Sequence, residues 1–179
     1  TISKNFIMSE AIVNKVAESS LVTIDLADFL SKEEPVLFDL KDYLFMNLII
    51  KEKEFRAGLQ QTAIEPFQKK SVLVFCSADA VIPMWAYMLV AAHLQPATKE
   101  LFLGTKEEWN KKKLLETIAA IDISIYKDQR VVIKGCGDEA IPEAAYLEIT
   151  NRLRPIVKSI MYGEPCSTVP IFKQPKSTT

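Results

Sequence analysis

The chain is poor in glycine, cysteine and histidine, and neither sign of charge is in surplus. Only five glycines stand among 179 residues, so a backbone loop that wraps a phosphate has few places to form. No G-x-G-x-x-G follows a predicted strand, and neither G-x-x-x-x-G-K-[ST] nor G-x-S-x-G occurs. The dinucleotide fingerprint, the P-loop and the nucleophile elbow are therefore excluded. Three cysteines, an odd number without a C-x-x-C pair, do not make a disulfide framework. The single histidine, His93, leaves no ready partner for a Cys–His dyad. Lys and Arg number 22 against 23 for Asp and Glu, a net charge of −1, and the pI is about 5.9. That balance lacks the basic footprint of a nucleic-acid binder. The longest apolar run, Val81 to Ala92, is interrupted by Pro83 and falls short of the roughly 20 residues of a bilayer span. No basic stretch followed by an apolar one opens the chain. These absences predict a cytoplasmic protein with reduced thiols, without a nucleic-acid or membrane partner.

What is present is the composition of an ordinary globular domain, 49% hydrophobic and 25% charged. Ser9 caps a predicted short helix with Ile12, Val13 and Val16 on one face. Leu21–Leu26 alternates and reads as a strand. Asp39 is placed to cap a helix from about Leu40 to Leu59, and the stretch from Gln60 to Lys70, with Pro66, reads as a connection. From Ser71 the pattern changes. Val72–Phe75, Leu101–Leu103, Val131–Ile133 and Ser159–Tyr162 are short apolar runs, typical of strands buried on both faces. Helices are expected over about Asp79–Leu94 and Asp138–Leu153, stopped by Pro96 and Pro155. Between them Thr105-Lys106-Glu107-Glu108 matches a capping box that opens a further helix.

The segment Val72–Gly104 repeats as Val131–Gly163. At an offset of 59 residues, ten of 33 aligned positions are identical without a gap, and they include the shared string D-x-x-I-P-x-x-A-Y. Chance would give roughly two. Two βαβ repeats imply right-handed crossovers and parallel strands. The expected fold is α/β and three-layered, with a four-stranded parallel core in the order 2-1-3-4 and an N-terminal helical segment packed on it. Residues 1–8 read as an extension ahead of a domain over 9–164. Within it, 9–70 is the helical segment, 71–104 the first repeat and 131–163 the second. Residues 165–179 read as an irregular tail.

Ligands of open parallel sheets bind beyond the carboxyl ends of the strands, at the switch point. Two strings are expected there: Cys76-Ser77-Ala78-Asp79 and Gly135-Cys136-Gly137-Asp138. Cys166 follows the fourth strand at the same edge. Three readings of the cysteines stand side by side. Cys76, Cys136 and Cys166 with a carboxylate or water would make a tetrahedral zinc site. Alternatively Cys136, between glycines and just before a helix, is a reactive thiol. Or each cysteine is an inert small residue. Asp79 and Asp138 read first as helix N-caps and second as paired carboxylates for acid–base work or cation binding. With Ser77, Gly135 and Gly137 they form the candidate ligand-binding set. His93 suits a surface position or a helix C-terminus.

The strings CSADAVIPMWAYML, VIKGCGD, AAYLEITNRLRP and KSIMYGEPCSTVPI, with SEAIVNKVAESSLVTIDL and LFDLKDYLFMNLIIKEKEFR, resemble an uncharacterised bacterial family found chiefly in Bacteroidetes. The resemblance spans nearly the whole chain after Met8. It implies a small cytoplasmic protein of one domain without an assigned activity, and it supplies no catalytic residues. Two functions from different classes remain open. One is an enzyme or ligand-binding protein working on a small molecule or metal at the cysteine-bearing edge. The other is a non-catalytic binding or scaffolding protein. The first repeat helix is apolar nearly all round, which predicts a homodimer through the face carrying Trp85 and Met88.

Overall fold

Eleven regular elements follow one another in the computed structural model, which describes residues 21–135, 140–164 and 166–175. They are β1 (Leu21–Asp25), β2 (Val36–Asp39), α1 (Glu52–Gln61), β3 (Ser71–Phe75), α2 (Met84–Leu94), β4 (Glu100–Leu103), α3 (Lys106–Ala120), β5 (Arg130–Lys134), α4 (Glu143–Leu153), β6 (Ser159–Glu164) and β7 (Ser167–Lys173). The predicted Ser9 helix lies outside the described residues. The chain divides into two compact units. The first takes Thr1–Phe29 and Thr117–Thr179, and the second takes Leu30–Glu116.

Each unit has its own sheet. The second unit holds three parallel strands in the order β2-β3-β4. The first holds β1-β5-β6-β7, of which β1, β5 and β6 are parallel and β7 is antiparallel. The fold is thus mixed α/β with mainly parallel sheets, but the order 2-1-3-4 is not found. Val72–Phe75 and Val131–Ile133 belong to different sheets. The reason is occupancy. β3 already has β2 and β4 beside it, and β5 has β1 and β6. Strands supplied from Leu21–Asp25 and Val36–Asp39 take the sides that the sequence reading gave to the other repeat.

The backbone bonding of the two units recurs 59 residues on. Ser71 faces Glu100 across β3 and β4, and Arg130 faces Ser159 across β5 and β6. Lys69 N–H donates to Ala97 at 2.8 Å, and Asp128 N–H donates to Ile156 at 2.9 Å. Lys69 and Asp128 both adopt left-handed backbone, with φ of 57° and 59°. The preceding strands match too. β1 runs into Asp25-Leu26-Ala27-Asp28-Phe29 and β2 into Asp39-Leu40-Lys41-Asp42-Tyr43. In each, the aspartate Oδ1 accepts from the N–H two residues on, Ala27 or Lys41, and the leucine is fully buried.

Several boundaries differ from the sequence reading. The helix expected over Leu40–Leu59 is a 3₁₀ turn at Leu40–Tyr43 and then α1. Between them Phe45 and Ile49 form an antiparallel bridge. Met46 and Asn47 there take φ of 55° and 58°, the conformation of a tight I′-like turn, which asparagine tolerates. The repeat helices begin at Met84 and Glu143, not at Asp79 and Asp138. A helix from Asp79 would run through Pro83, whose ring would strike the carbonyl of Asp79 and which has no N–H to give. Pro83 and Pro142 are the N-caps instead, in extended backbone. The expected irregular tail contains β7, paired with β6. Gly163 makes the return possible. Its φ is +116°, and a Cβ there would meet the Ser167 carbonyl oxygen at 2.6 Å. Pro170 is accommodated because β7 is an edge strand.

The second unit packs around aromatic rings. Phe38 stacks on Tyr43 at 5.4 Å, Tyr43 meets Phe55 edge-on at 5.3 Å, and Phe55 meets Trp85 at 6.0 Å. Trp85 therefore belongs partly to the core, while Met84 and Met88 beside it are 73% and 70% exposed. The Thr105 capping box forms as predicted. Glu108 N–H donates to Thr105 Oγ1 at 3.2 Å, and Thr105 N–H donates to the Glu108 carboxylate at 2.8 Å. In the first unit Val131, Val132, Ile133 and Ile160 of the sheet and Ala145, Ile149 and Leu153 of α4 are buried. Each such aliphatic side chain is worth about 1.5–3 kcal/mol of burial.

Candidate functional site

The carboxyl ends of parallel strands are where the chain turns outward and ligands gather. In the first unit these ends carry Asp25, Lys134 and Gly135, and Glu164. Lys134 Nζ lies 2.9 Å from Asp25 Oδ2 and 4.0 Å from Glu164 Oε1. The Lys134 ammonium holds the Asp25 carboxyl below its ordinary value, against the opposing effect of burial, and the Ala27 N–H helps. The second unit has Asp39 at the matching place. Burial pushes its carboxyl up, but hydrogen bonds from Ser77 and the Lys41 N–H outweigh that and hold it low. Phe75 stands there where the first unit has Lys134.

Next to Gly135 a cleft of about 330 Å³ opens between α4 and the sheet. Its walls are Ile133 from β5, Tyr146 and Thr150 from α4, Met161 and Tyr162 from β6, and Ile171 from β7, with Glu143 also on the wall. Tyr146 and Tyr162 meet edge to face, with ring centres 5.7 Å apart, the geometry that aromatic quadrupoles favour. The Tyr146 hydroxyl donates to the Gly135 carbonyl at 3.4 Å. A Cβ at Gly135 would collide with that hydroxyl and come within 3.0 Å of Ile141. Glycine at 135 therefore seats Tyr146. The second unit has a smaller cleft of about 150 Å³, lined at matching positions by Val74, Tyr87, Ala91, Phe102 and Leu103. Isoleucine, threonine, methionine and tyrosine at 133, 150, 161 and 162, together with β7, shape the larger one.

The sequence-derived residues fall out as follows. Cys76 and Ser77 follow β3 in the second unit. Cys76 is half-buried and donates to the Ala78 carbonyl at 3.4 Å, and the Ser77 N–H donates to Asp39 at 3.0 Å. Asp79 lies in the same loop, ahead of the Pro83 cap. Gly135 is in the first unit, beside Tyr146. Cys166 is exposed in the turn between β6 and β7. Cys136, Gly137 and Asp138 lie outside the described residues. Cys76 and Cys166 belong to different units and different sheets, so the neighbouring strands from which the shared edge was argued are not neighbours. Among the described residues no group of three or more His, Cys, Asp or Glu side chains is placed to hold a metal ion. His93 is half-buried, and its Nε2 is buried without a hydrogen-bond partner among the described residues. At the matching place in the first unit, Arg152 donates to the Ile118 and Ile121 carbonyls at the end of α3.

Sequence reasoning missed the tyrosine pair and the Asp25–Lys134 pair. The tyrosines were visible only as members of the repeat, and Tyr162 joins Tyr146 through the register of β5 and β6. The Asp25 signal was the D-L-x-D-aromatic string, present twice at the ends of β1 and β2.

The fold and cleft define a small α/β protein of mainly parallel sheets, with an apolar recess at the carboxyl ends of its strands. The chain belongs to a family of proteins of unknown function, DUF2480, which it matches over residues 10–174. No curated protein and no solved structure matches it. Among the described residues no helix is long and apolar enough to cross a membrane.

Proposed function

We propose that this protein is a ligand-binding protein whose cargo, a small molecule with an apolar body, enters the cleft beside Gly135. The observation that carries this reading is the cleft itself. Its volume of about 330 Å³ lies within the roughly 300–1,000 Å³ range of small-molecule sites, and such sites are mostly apolar with a few polar groups. Its lining answers to that description, with the Tyr146 and Thr150 hydroxyls and the Glu143 carboxylate among aliphatic and aromatic groups. Its place at the carboxyl ends of β5 and β6 supports the reading further.

The reading includes an internal duplication. One ancestral unit, a strand ending in Asp-Leu followed by a helix and a βαβ passage, occurs twice. The second copy stands between β1 and α3 of the first. Shared cleft positions 59 residues apart support this, and divergence enlarged one cleft for binding.

The test uses N-phenyl-1-naphthylamine, a neutral dye that fluoresces in apolar surroundings. Saturable enhancement at one dye per chain is expected, abolished by Thr150→Trp, which fills the cleft. No enhancement, or enhancement untouched by Thr150→Trp in a variant with unchanged circular dichroism, overturns the proposal.

A second reading has its own observation. Val81, Met84 and Met88 are 84%, 73% and 70% exposed, an apolar strip at the start and along one side of α2. It supports a homodimer through this face, with Met88 central and Trp85 held back in the core.

A further inference from the structure

We infer that the molecule held in the first unit's cleft is a planar aromatic compound of about two fused rings that carries a cationic amine. This inference rests on the reading of the cleft as a binding site and adds the class of ligand to it. The size follows from volume. An apolar cavity of about 150 Å³ takes one benzene, and the cleft holds about 330 Å³. A bicyclic ring system fits where a steroid or a long acyl chain does not.

The aromatic character follows from the walls. Tyr146 and Tyr162 both line the recess, with their rings at 79° to one another. A flat guest can meet both with offset or edge-on contacts, each worth more than its area alone. Ile133 and Ile171 flank the recess as aliphatic surfaces.

The charge follows from Glu143. Among the described residues it is the one on the cleft wall with an ionisable carboxylate; it is exposed and has neither an ion pair nor a hydrogen-bond partner among them. Its counterpart in the second unit's sequence is Met84, so the carboxylate goes with the larger cleft. The nearest cation along β5, Lys134, is engaged by Asp25 and Glu164. The cations on and just after α4, Arg152 and Arg154, stand nine or more residues away at the other end of the helix, about 15 Å along its axis. Glu143 opens α4, and its full negative charge outweighs the roughly half positive charge of the helix N-terminus, so an anionic guest would be repelled and a cationic guest would pair with it. Tyrosine faces add cation–π attraction for the same guest.

Three probes with one ring system separate the contributions: tryptamine, cationic; indole, neutral; and indole-3-propionate, anionic. Calorimetric titration of the full chain is expected to rank them in that order, with tryptamine at least tenfold tighter than indole-3-propionate. Glu143→Gln is expected to shrink that ratio below threefold while indole binding stays within twofold. Thr150→Trp, or Tyr162→Ala if the first fails to fold, is expected to remove binding of all three. Equal binding of the three probes, lost in the cleft variants, overturns the charge assignment and leaves the cleft as the site. Binding of none of them while the neutral dye still binds overturns the ligand class. Failure of both the indoles and the dye overturns the cleft as a site.

Discussion

Gly135 and Tyr146 share a space that only one of them can fill. The hydroxyl of Tyr146 occupies the volume that a Cβ on residue 135 would take, and it donates to the carbonyl of that same residue. Gly135→Ala is therefore expected to push the ring off β5. The cost should be about 1–3 kcal/mol, the usual range for overpacking. Urea unfolding measures it directly. Gly135→Ala combined with Tyr146→Phe should recover part of the loss, because the phenylalanine ring lacks the oxygen that collides. A double variant no more stable than Gly135→Ala alone would show that the Ile141 contact dominates.

Arg152 closes the end of α3. Its guanidinium donates to the Ile118 and Ile121 carbonyls, at the helix end where carbonyls run short of intrahelical partners; the Ile118 carbonyl also accepts from the Ile121 N–H. Hydrogen bonds to a charged group contribute about 1.5–3 kcal/mol each. Arg152→Ala is expected to destabilise the protein by about 2 kcal/mol in thermal or urea unfolding, and Arg152→Lys to restore less than half. Arg154→Ala is the control. That side chain lies over the Phe172 ring at 4.8 Å, an exposed contact worth about 0.5–1 kcal/mol. Equal losses at the two positions would refute the capping role.

How far the sequence reached can be read from particular residues. The strands at Val72, Leu101, Val131 and Ile160 were legible as short continuous apolar runs bounded by turns, but only β3 and β5 are buried on both faces, and Leu103 of β4 and Tyr162 of β6 are exposed. The capping box at Thr105 was legible because its chemistry is local. Sheet order was not. It depends on which strand lies beside Val72 or Val131, and Leu21–Asp25 and Val36–Asp39 are joined to those partners through long stretches of intervening chain. The stretch from Phe45 to Ile49 misled because its apolar residues suggested a helix face, whereas Leu48 is exposed and Met46 turns left-handed. Of the candidate residues, Gly135 was found through its place after a strand. Its partner Tyr146 was quoted only as part of the repeated string, because the contact joins a loop to a helix eleven residues on.

The exposed strip on α2 has a direct consequence in solution. An apolar face open to water promotes association when a matching face is available, and a second copy supplies one. Sedimentation equilibrium at micromolar concentration is expected to give twice the chain mass of 20.2 kDa. Met84→Lys with Met88→Lys should return it to the single-chain value without changing circular dichroism, since both side chains are more than two-thirds exposed. A single-chain mass for the unaltered protein rejects the dimer.

Acid should unfold this protein through a small set of carboxylates. Asp25 is held low by Lys134, and Glu33 by Lys99 and by the Ser71 hydroxyl. Burial pushes Glu100 up, but its bonds to Trp109 and Lys113 outweigh that and keep it low. A carboxylate whose value is lower in the folded chain binds fewer protons there than in the unfolded one. Its stabilisation is fully present above the unfolded value, about 4, and is lost as pH falls through the folded value. Lys113 has the opposite sign. Burial lowers it, yet Glu100 and Glu116 raise it overall, so its contribution holds below about 10.4 and fades as pH rises beyond that. Stability should accordingly stay level from about pH 6 to pH 9 as far as these groups are concerned, and fall steadily below about pH 4.5. Asp25→Asn separates one contributor. The Lys134–Asp25 pair is only partly exposed, with side chains 27% and 19% accessible, so screening by water is incomplete. The variant should be less stable than the parent near pH 7. The gap should narrow as pH falls through the lowered folded-state value of Asp25, where the parent's carboxylate is also protonated. Urea midpoints for both proteins at half-unit steps of pH would trace this convergence. A gap that stays constant across the range would mean that Asp25 acts through packing, not through the charge of its carboxylate.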